Sequence, residues 1–259
     1  MSKFQIKILP SLSDNYIFII SCLETNKTAC IDPGDADVVI EHLQKNSLTL
    51  DYILITHHHY DHINGVDQLK KKYKAITYGP KLELDKIPQI DHAVTEQENI
   101  KIGLLNFEIL LLNGHTNGHI AYYAKNENIL FSGDVIFPSG SGYLFEGTYD
   151  EMYNSLEKIK KLPKQTKIYF SHEYTLENIE FALSIEQDNL ALQKKKLQII
   201  ELLNNKLPSA PTTLEIELKT NPFLRTLSPE IRKNIGKNSD SYNNQIYKKI
   251  RELKNSFNK

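Results

Sequence analysis

An α/β core followed by a helical tail is the architecture the sequence predicts, and three observations predict it. The first two thirds of the chain alternate short apolar strands with turns and amphipathic helices. Four of those strands run directly into residues that bind metals well. After about Tyr174 the strand pattern stops, and the remaining residues read as helix to the end.

Taken in order, Phe4–Leu9, Tyr16–Ser21 and Thr28–Ile31 are strands rich in β-branched and aromatic residues. Asp32-Pro33-Gly34-Asp35 is a turn. Val38, Val39 and Leu43, with Glu41 and Lys45 outside, predict a helix that also carries His42. Tyr52–Ile55 is a buried strand, and Phe107–Leu112, Ile120–Ala124, Ile129–Phe131 and Lys167–Phe170 are further strands. Tyr149–Lys161 reads as a helix with Met152, Leu156 and Ile159 on one face. Helices are then expected over Asn178–Ser184, Asn189–Asn204, Pro229–Ile235 and Tyr242–Phe257, with Leu207–Pro211 as a linker. The boundary falls at 1–173 and 174–259. Lys194–Lys196 is expected to be a solvated helix face, Ser139–Gly142 a flexible turn, and His92 part of a polar loop.

Composition excludes several classes. The chain has 259 residues, of which 40% are hydrophobic and 24% charged, which is ordinary for a globular protein. Lys+Arg 31 against Asp+Glu 32 leaves no field that would mark a nucleic-acid or membrane binder. The early apolar run Tyr16–Cys22 is too short to span a bilayer. No basic leader with a small-residue cleavage site precedes it, so no signal peptide is expected. Two cysteines, Cys22 and Cys30, rule out a disulfide framework and suggest a reducing, cytoplasmic setting.

The chemistry is carried by Thr56-His57-His58-His59-Tyr60-Asp61-His62. Imidazoles and a carboxylate are good ligands for zinc, iron or manganese. His57 and His59 are two apart and share a face of an extended segment, whereas His58 points the other way. Further ligand-type residues come just past strand ends: His115 in Gly114–His119, Asp134 in Ser132-Gly133-Asp134, and His172 in Ser171–Tyr174. The expected sets are His57, His59 and His115 around one ion and Asp61, His62 and His172 around the other, with Asp134 bridging. His119 is expected to hydrogen-bond a ligand rather than to be one.

These blocks resemble the metallo-β-lactamase superfamily and, within it, the glyoxalase II (hydroxyacylglutathione hydrolase) family. The resemblance runs nearly end to end, through Leu9–Tyr16, Thr56–His62, Gly114–His119, Phe145–Thr148, His172–Thr175, Asn221–Arg225 and Arg251–Lys254. It implies a four-layer αββα sandwich with a C-terminal helical domain. It further implies that a dimetal-bridged hydroxide, oriented by Asp61, hydrolyses the thioester S-D-lactoylglutathione to D-lactate and glutathione in methylglyoxal detoxification. The cofactors implied are two divalent ions, zinc first and iron or manganese as alternatives. The partner is a small-molecule glutathione thioester, with no nucleic acid, no membrane and a monomeric state. By resemblance Tyr174, Arg251 and Lys254 bind the glutathione moiety, and Arg and Lys suit its two carboxylates.

The chain departs from the family pattern in three places. Asn64 stands where Gly is usual and would tolerate left-handed backbone. Asn113 replaces a Pro two residues before His115. Tyr143 comes after Gly142 where the family carries Lys or Arg, so the substrate site lacks a fixed cation, a change that bears on affinity rather than chemistry. The rival readings are another hydrolase of the same fold, such as a lactonase or β-lactamase, a mononuclear iron oxygenase acting on glutathione persulfide, and a non-catalytic metal-binding module. A periplasmic β-lactamase should carry a signal peptide, and many have Cys where Asp134 stands; the iron oxygenase family lacks the long helical tail and the His172–Thr175 block; and the complete ligand set argues against the third.

Overall fold

The computed structural model describes residues 3–236 and 241–257, which fall into two compact units. The first runs to Leu111 and resumes over Asn117–Gly133; the second takes Leu112–Thr116 and the chain from Asp134 onward.

In the first unit, β1 (Phe4–Ser11), β2 (Asn15–Cys22), β3 (Thr28–Ile31), β4 (Tyr52–Leu54), β5 (Ile76–Pro80) and β6 (His92–Val94) lie side by side in that order. β1, β2 and β3 are antiparallel neighbours, and β3 through β6 run parallel. The parallel half needs crossovers: α1 (Ala36–Lys45) joins β3 to β4, α2 (Tyr60–Ile63) and α3 (Val66–Tyr73) join β4 to β5, and a segment with a 3-10 turn at Lys81–Glu83 joins β5 to β6. The Asp35 side chain caps α1 by accepting from the Asp37 N–H at 2.9 Å. Ala36, Val39 and Leu43 then pack with Val66 and Leu69 of α3 over Ile17, Ile19 and Ile53 of the sheet. Each such side chain taken fully out of water contributes about 1.5–3 kcal/mol.

A second set of strands, β7 (Asn99–Ile102), β8 (Leu105–Leu111), β9 (Ile120–Ala124) and β10 (Ile129–Gly133), forms an antiparallel meander. β9 is buried on both faces. Its Tyr122 hydroxyl donates to the Ile55 carbonyl at 2.7 Å, so the one polar atom of that buried ring is satisfied where β4 leads into the histidine cluster.

The second unit opens with a short hairpin, β11 (Ile136–Phe137) and β12 (Gly140–Ser141). α4 (Tyr149–Lys160) comes next, started by a capping box in which Thr148 and Glu151 satisfy each other's backbone N–H. β13 (Lys167–Phe170) pairs antiparallel with β14 (Thr212–Thr213). The remaining elements are α5 (Thr175–Ile185), α6 (Leu190–Asn204), α7 (Leu214–Thr220), α8 (Pro229–Asn234) and α9 (Asn243–Ser256). Ile179 and Ala182 of α5 meet Leu192 and Ile199 of α6 in a small apolar core.

The strands and helices expected from periodicity are present, and several short elements were not expected. β5, β6 and β7 are absent from the sequence reading because they are short and carry Gly, Pro or alternating polar residues. His92 lies in β6 rather than in a loop, with its ring stacked on Tyr78 at 5.2 Å. β14 is a two-residue strand beyond the point where strand signals stop. Asn64 has φ −58°, so no left-handed backbone is called on there. Ser139–Gly142 is no flexible turn: Ser139, Gly140, Ser141 and Gly142 are all buried.

Lys195 is the sharpest correction. Of the triple lysine it alone is buried, and its Nζ donates to Glu217 Oε1 at 2.6 Å, Ser139 Oγ at 3.1 Å and Thr220 Oγ1 at 3.1 Å. Burial pulls its pKa below the ordinary lysine value, and the Glu217 carboxylate opposes that pull. Removing one partner of such a pair leaves the other charge buried and alone, at a cost of about 3–5 kcal/mol. Lys195→Met should lower unfolding stability in urea by about that much, and adding Glu217→Gln should recover part of it. A single-variant loss below about 1 kcal/mol would show that the pair is not desolvated.

Candidate metal centre

The first unit gathers four donors at the end of β4. The parallel register sets Ile31 beside Leu54, and the Asp32 N–H then donates to the Leu54 carbonyl at 3.0 Å. Asp32 adopts φ 51°, a left-handed conformation that Asp tolerates better than most residues. Its buried carboxylate accepts from the Thr56 N–H and the Thr56 hydroxyl, each at 2.8 Å, and lies 3.1 Å from His62 Nδ1. Thr56 Oγ1 in turn contacts His57 Nδ1 at 3.0 Å. The opposite nitrogens face inward: His57 Nε2 is 3.0 Å from His59 Nδ1, and His62 Nε2 is 3.5 Å from Asp61 Oδ2. Asn15 donates to Asp61 Oδ2 at 2.8 Å. Gly34 is required here, because a Cβ on it would sit 1.8 Å from the Asp61 carbonyl oxygen.

Two neighbouring histidines have other surroundings. His58 Nδ1 lies 2.9 Å from Glu83 Oε2, and Glu83 Oε1 accepts from the Gly118 N–H at 3.1 Å. His119 is fully buried and stacks on the His57 ring at 4.8 Å.

The second unit gathers three donors in the same manner. Asp134 Oδ2 lies 3.4 Å from His115 Nε2 and 3.2 Å from His172 Nε2. The far nitrogen of His115 is 2.7 Å from the backbone carbonyl of Tyr143, the acceptor that fixes its tautomer. Gly142 lets the chain pass there, since a Cβ would stand 1.9 Å from the Asp134 carbonyl oxygen. His172 stacks flat on Tyr174 at 5.0 Å.

The same unit brings the expected substrate residues together. Tyr143, Tyr174, Arg251 and Lys254 line one cavity of about 230 Å³, with Glu177 and Asn178 beside them. Arg251 is buried, and donates from Nη1 to the Ser141 carbonyl at 2.7 Å and from Nε to Asn255 Oδ1 at 2.8 Å. Lys254 is also buried and pairs with Glu177.

In each unit the pattern is that of metal ligands. Imidazole nitrogens and carboxylate oxygens converge on one side, while outer nitrogens of His57, His62 and His115 are anchored from behind. All are nitrogen and oxygen donors that suit divalent zinc, iron or manganese. Sequence reasoning missed the anchors. From sequence Asp32 is a turn residue, Asn15 only a member of the Leu9–Tyr16 block, and Glu83 carries no signal; a buried carboxylate facing a histidine is visible only once the chain is folded.

Comparison with known proteins decides the family. Residues 13–172 match the model of the metallo-β-lactamase superfamily, and residues 173–257 match that of the hydroxyacylglutathione hydrolase C-terminus. A hydroxyacylglutathione hydrolase of Pelagibacter ubique is 42% identical over 253 residues, covering 98% of this chain and all of that protein. The chain belongs to the hydroxyacylglutathione hydrolase family. A second hydroxyacylglutathione hydrolase, from Vibrio parahaemolyticus, is also 42% identical and covers 98% of this chain and 99% of its own length. Among solved structures, ETHE1 from Myxococcus xanthus superposes with TM-score 0.65 at 22% identity, over 94% of this chain and 95% of its own. The B3 metallo-β-lactamase BLEG-1 gives TM-score 0.66 at 24% identity, over 85% of this chain and all of its own. Those two likenesses confirm the metallo-β-lactamase fold and leave the choice of substrate to the family match. No helix among the described residues is long and apolar enough to cross a membrane.

If Asp32 fixes His62 for metal binding, Asp32→Asn should weaken zinc affinity about 10–100-fold, the usual effect of losing such a partner. Competition against a chromophoric chelator measures this, with a thermal melt to confirm folding. Affinity within twofold of the wild type would remove Asp32 from that role.

Proposed function

We propose that the chain hydrolyses S-D-lactoylglutathione to D-lactate and glutathione, as a monomeric cytoplasmic enzyme of methylglyoxal detoxification. The observation that carries this reading is the match of residues 173–257 to the hydroxyacylglutathione hydrolase C-terminus, since the superfamily motif alone serves many substrates. Residues 1–173 would hold the metals and 174–259 the substrate. The two buried free thiols, Cys22 and Cys30, support the cytoplasmic setting.

One ion would be held by His57, His59 and His115 and the other by Asp61, His62 and His172, with Asp134 shared. Zinc is the first expectation, with iron or manganese as alternatives. Ions held there would lower the pKa of water at the site and polarise the thioester carbonyl. Asp61, held through one oxygen by Asn15, would orient the attacking water with its carboxylate. The leaving thiolate has a solution pKa of about 8.5 and needs little help from a general acid. No serine or cysteine nucleophile is required. Tyr174, Arg251 and Lys254 would grip the glutathione moiety, with Tyr143 at the edge of the same cavity; Arg251 keeps three of its five N–H groups for this, having used two on Ser141 and Asn255.

The test pairs elemental analysis with loss of thioester absorbance on S-D-lactoylglutathione. The wild type should carry about two ions per chain. Asp134→Ala should lose metal and activity together. Polarisation by a metal contributes several kcal/mol, and each 1.36 kcal/mol is tenfold, so activity should fall by at least about a hundredfold. Full activity in that variant, or with at most one ion per chain, would overturn the binuclear reading.

A further inference from the structure

The cavity that holds the proposed glutathione residues contains an acid that no part of that reading uses. The described residues lining it carry two positive charges, Arg251 and Lys254, and one negative, Glu177. Glu177 sits in the first turn of α5, where the partial positive charge of a helix N-terminus favours a carboxylate. It pairs with the Lys254 ammonium. The two partners differ sharply in exposure: the Lys254 side chain is 8% exposed and that of Glu177 54%. Lys254 is fixed, its ammonium 5.9 Å from the ring centre of Phe181 and 5.7 Å from that of Phe257. Glu177 is the partner that can swing into water, and an incoming carboxylate would then take its place beside the buried Lys254 ammonium.

We infer that Glu177 sets the strength and specificity of the grip on glutathione by competing with a substrate carboxylate for Lys254. The inference rests on the thioesterase reading above and deepens it. Lys254 is a compact ammonium with three donors, and a carboxylate already beside it both occupies one and repels a second anion. A glutathione carboxylate therefore engages Lys254 fully only as Glu177 turns out to solvent. The contact is made equally in ground and transition states, so its effect falls on KM and not on kcat. A thioester whose thiol carries no carboxylate does not compete, and its binding is indifferent to Glu177.

The experiment compares wild type with Glu177→Gln and Glu177→Asp on S-D-lactoylglutathione and on the N-acetylcysteamine thioester of the same acyl group, whose thiol part is uncharged. Binding of S-methylglutathione, a thioether that cannot be cleaved, is measured by calorimetry alongside. Glu177→Gln should lower KM for the glutathione thioester and the dissociation constant of S-methylglutathione by roughly two- to fivefold, the scale of one half-exposed ion pair. kcat should stay constant, the gain should shrink in high salt, and the cysteamine substrate should not respond. Glu177→Asp keeps the charge and should remain near wild type. A raised KM in Glu177→Gln would mean that Glu177 instead receives the substrate's ammonium, and an unchanged KM that it takes no part; either result overturns the inference. A misfolded Gln variant is recognised by its thermal melt, and the salt dependence of wild-type S-methylglutathione binding against that of Glu177→Asp and Glu177→Ser then decides the same point. If wild type neither binds S-methylglutathione nor cleaves S-D-lactoylglutathione, the substrate reading itself has failed, and the inference falls with it by a visibly different route.

Discussion

An imidazole can offer either nitrogen to a metal, and a ring free to rotate offers neither reliably, so a histidine site depends on what holds each ring from behind. In the first unit that constraint converges on the carboxylate of Asp32. It is buried, and a buried carboxylate is tolerable only when its oxygens are occupied. Two bonds from Thr56 and the approach of His62 Nδ1 occupy them. The arrangement comes from the sheet: β3 and β4 run parallel in a register that brings the residue after Ile31 level with the residues after Leu54. Thr56 then passes the order on to His57 through its hydroxyl. One left-handed aspartate thus fixes the start of the His57–His62 segment and one of its far rings together.

The second unit solves the same problem with backbone. His115 is held by the carbonyl of Tyr143, so its orientation is only as good as that loop. The loop is fixed by side chains from the helical part of the unit. Glu217 accepts from the Ser139 N–H at 2.7 Å while neutralising Lys195. Asn221 donates to the carbonyls of Phe137 and Gly140, and Arg251 to that of Ser141. The residues between Asp134 and Tyr143 are therefore tied at almost every step. The helices that would hold substrate also build the hairpin whose continuation orients His115, a proposed metal ligand. Damage to Lys195 or Glu217 should reach the site through Ser139, although neither residue is among the donors gathered there.

Legibility in the sequence is a matter of range. Strands such as β2 and β9 announce themselves as short apolar runs buried on both faces, and helices such as α1 and α4 in the periodicity of one buried face, because both are local patterns. The ligands announce themselves because each comes just past a strand, and His57–His62 is compact. Family resemblance added the substrate. The supporting residues were not legible, since each acts across a long separation: Asn15 on Asp61, Asp32 on Thr56, Glu83 on Gly118, Glu217 on Ser139. Nothing in Asp32-Pro33-Gly34-Asp35 distinguishes an aspartate that turns the chain from one that also orients a histidine. Lys195 shows the same limit, because three lysines in a row look solvated until α6 is rotated against α7.

Tyr143 shows how a family position can change without disturbing the chemistry beside it. Its carbonyl holds His115, a duty any residue's backbone can perform. Its side chain is half exposed, packs edge-on against Phe145 at 4.9 Å, and lines the cavity of Arg251 and Lys254. Main chain and side chain therefore answer to different constraints, the first to the orientation of His115 and the second to the charge of whatever enters the cavity. With tyrosine at position 143, and with Glu177 against Lys254, the lining of the cavity keeps one net positive charge, and the glutathione moiety proposed to bind there would bring two carboxylates. Glutathione also carries one ammonium, so its own net charge is a single negative, and the sum closes. What a further cation would add is therefore not overall neutrality but a second fixed partner. The physical question at this surface is how many of the ligand's charges are held one by one, and Glu177 bears on it because it is the lining charge free to move.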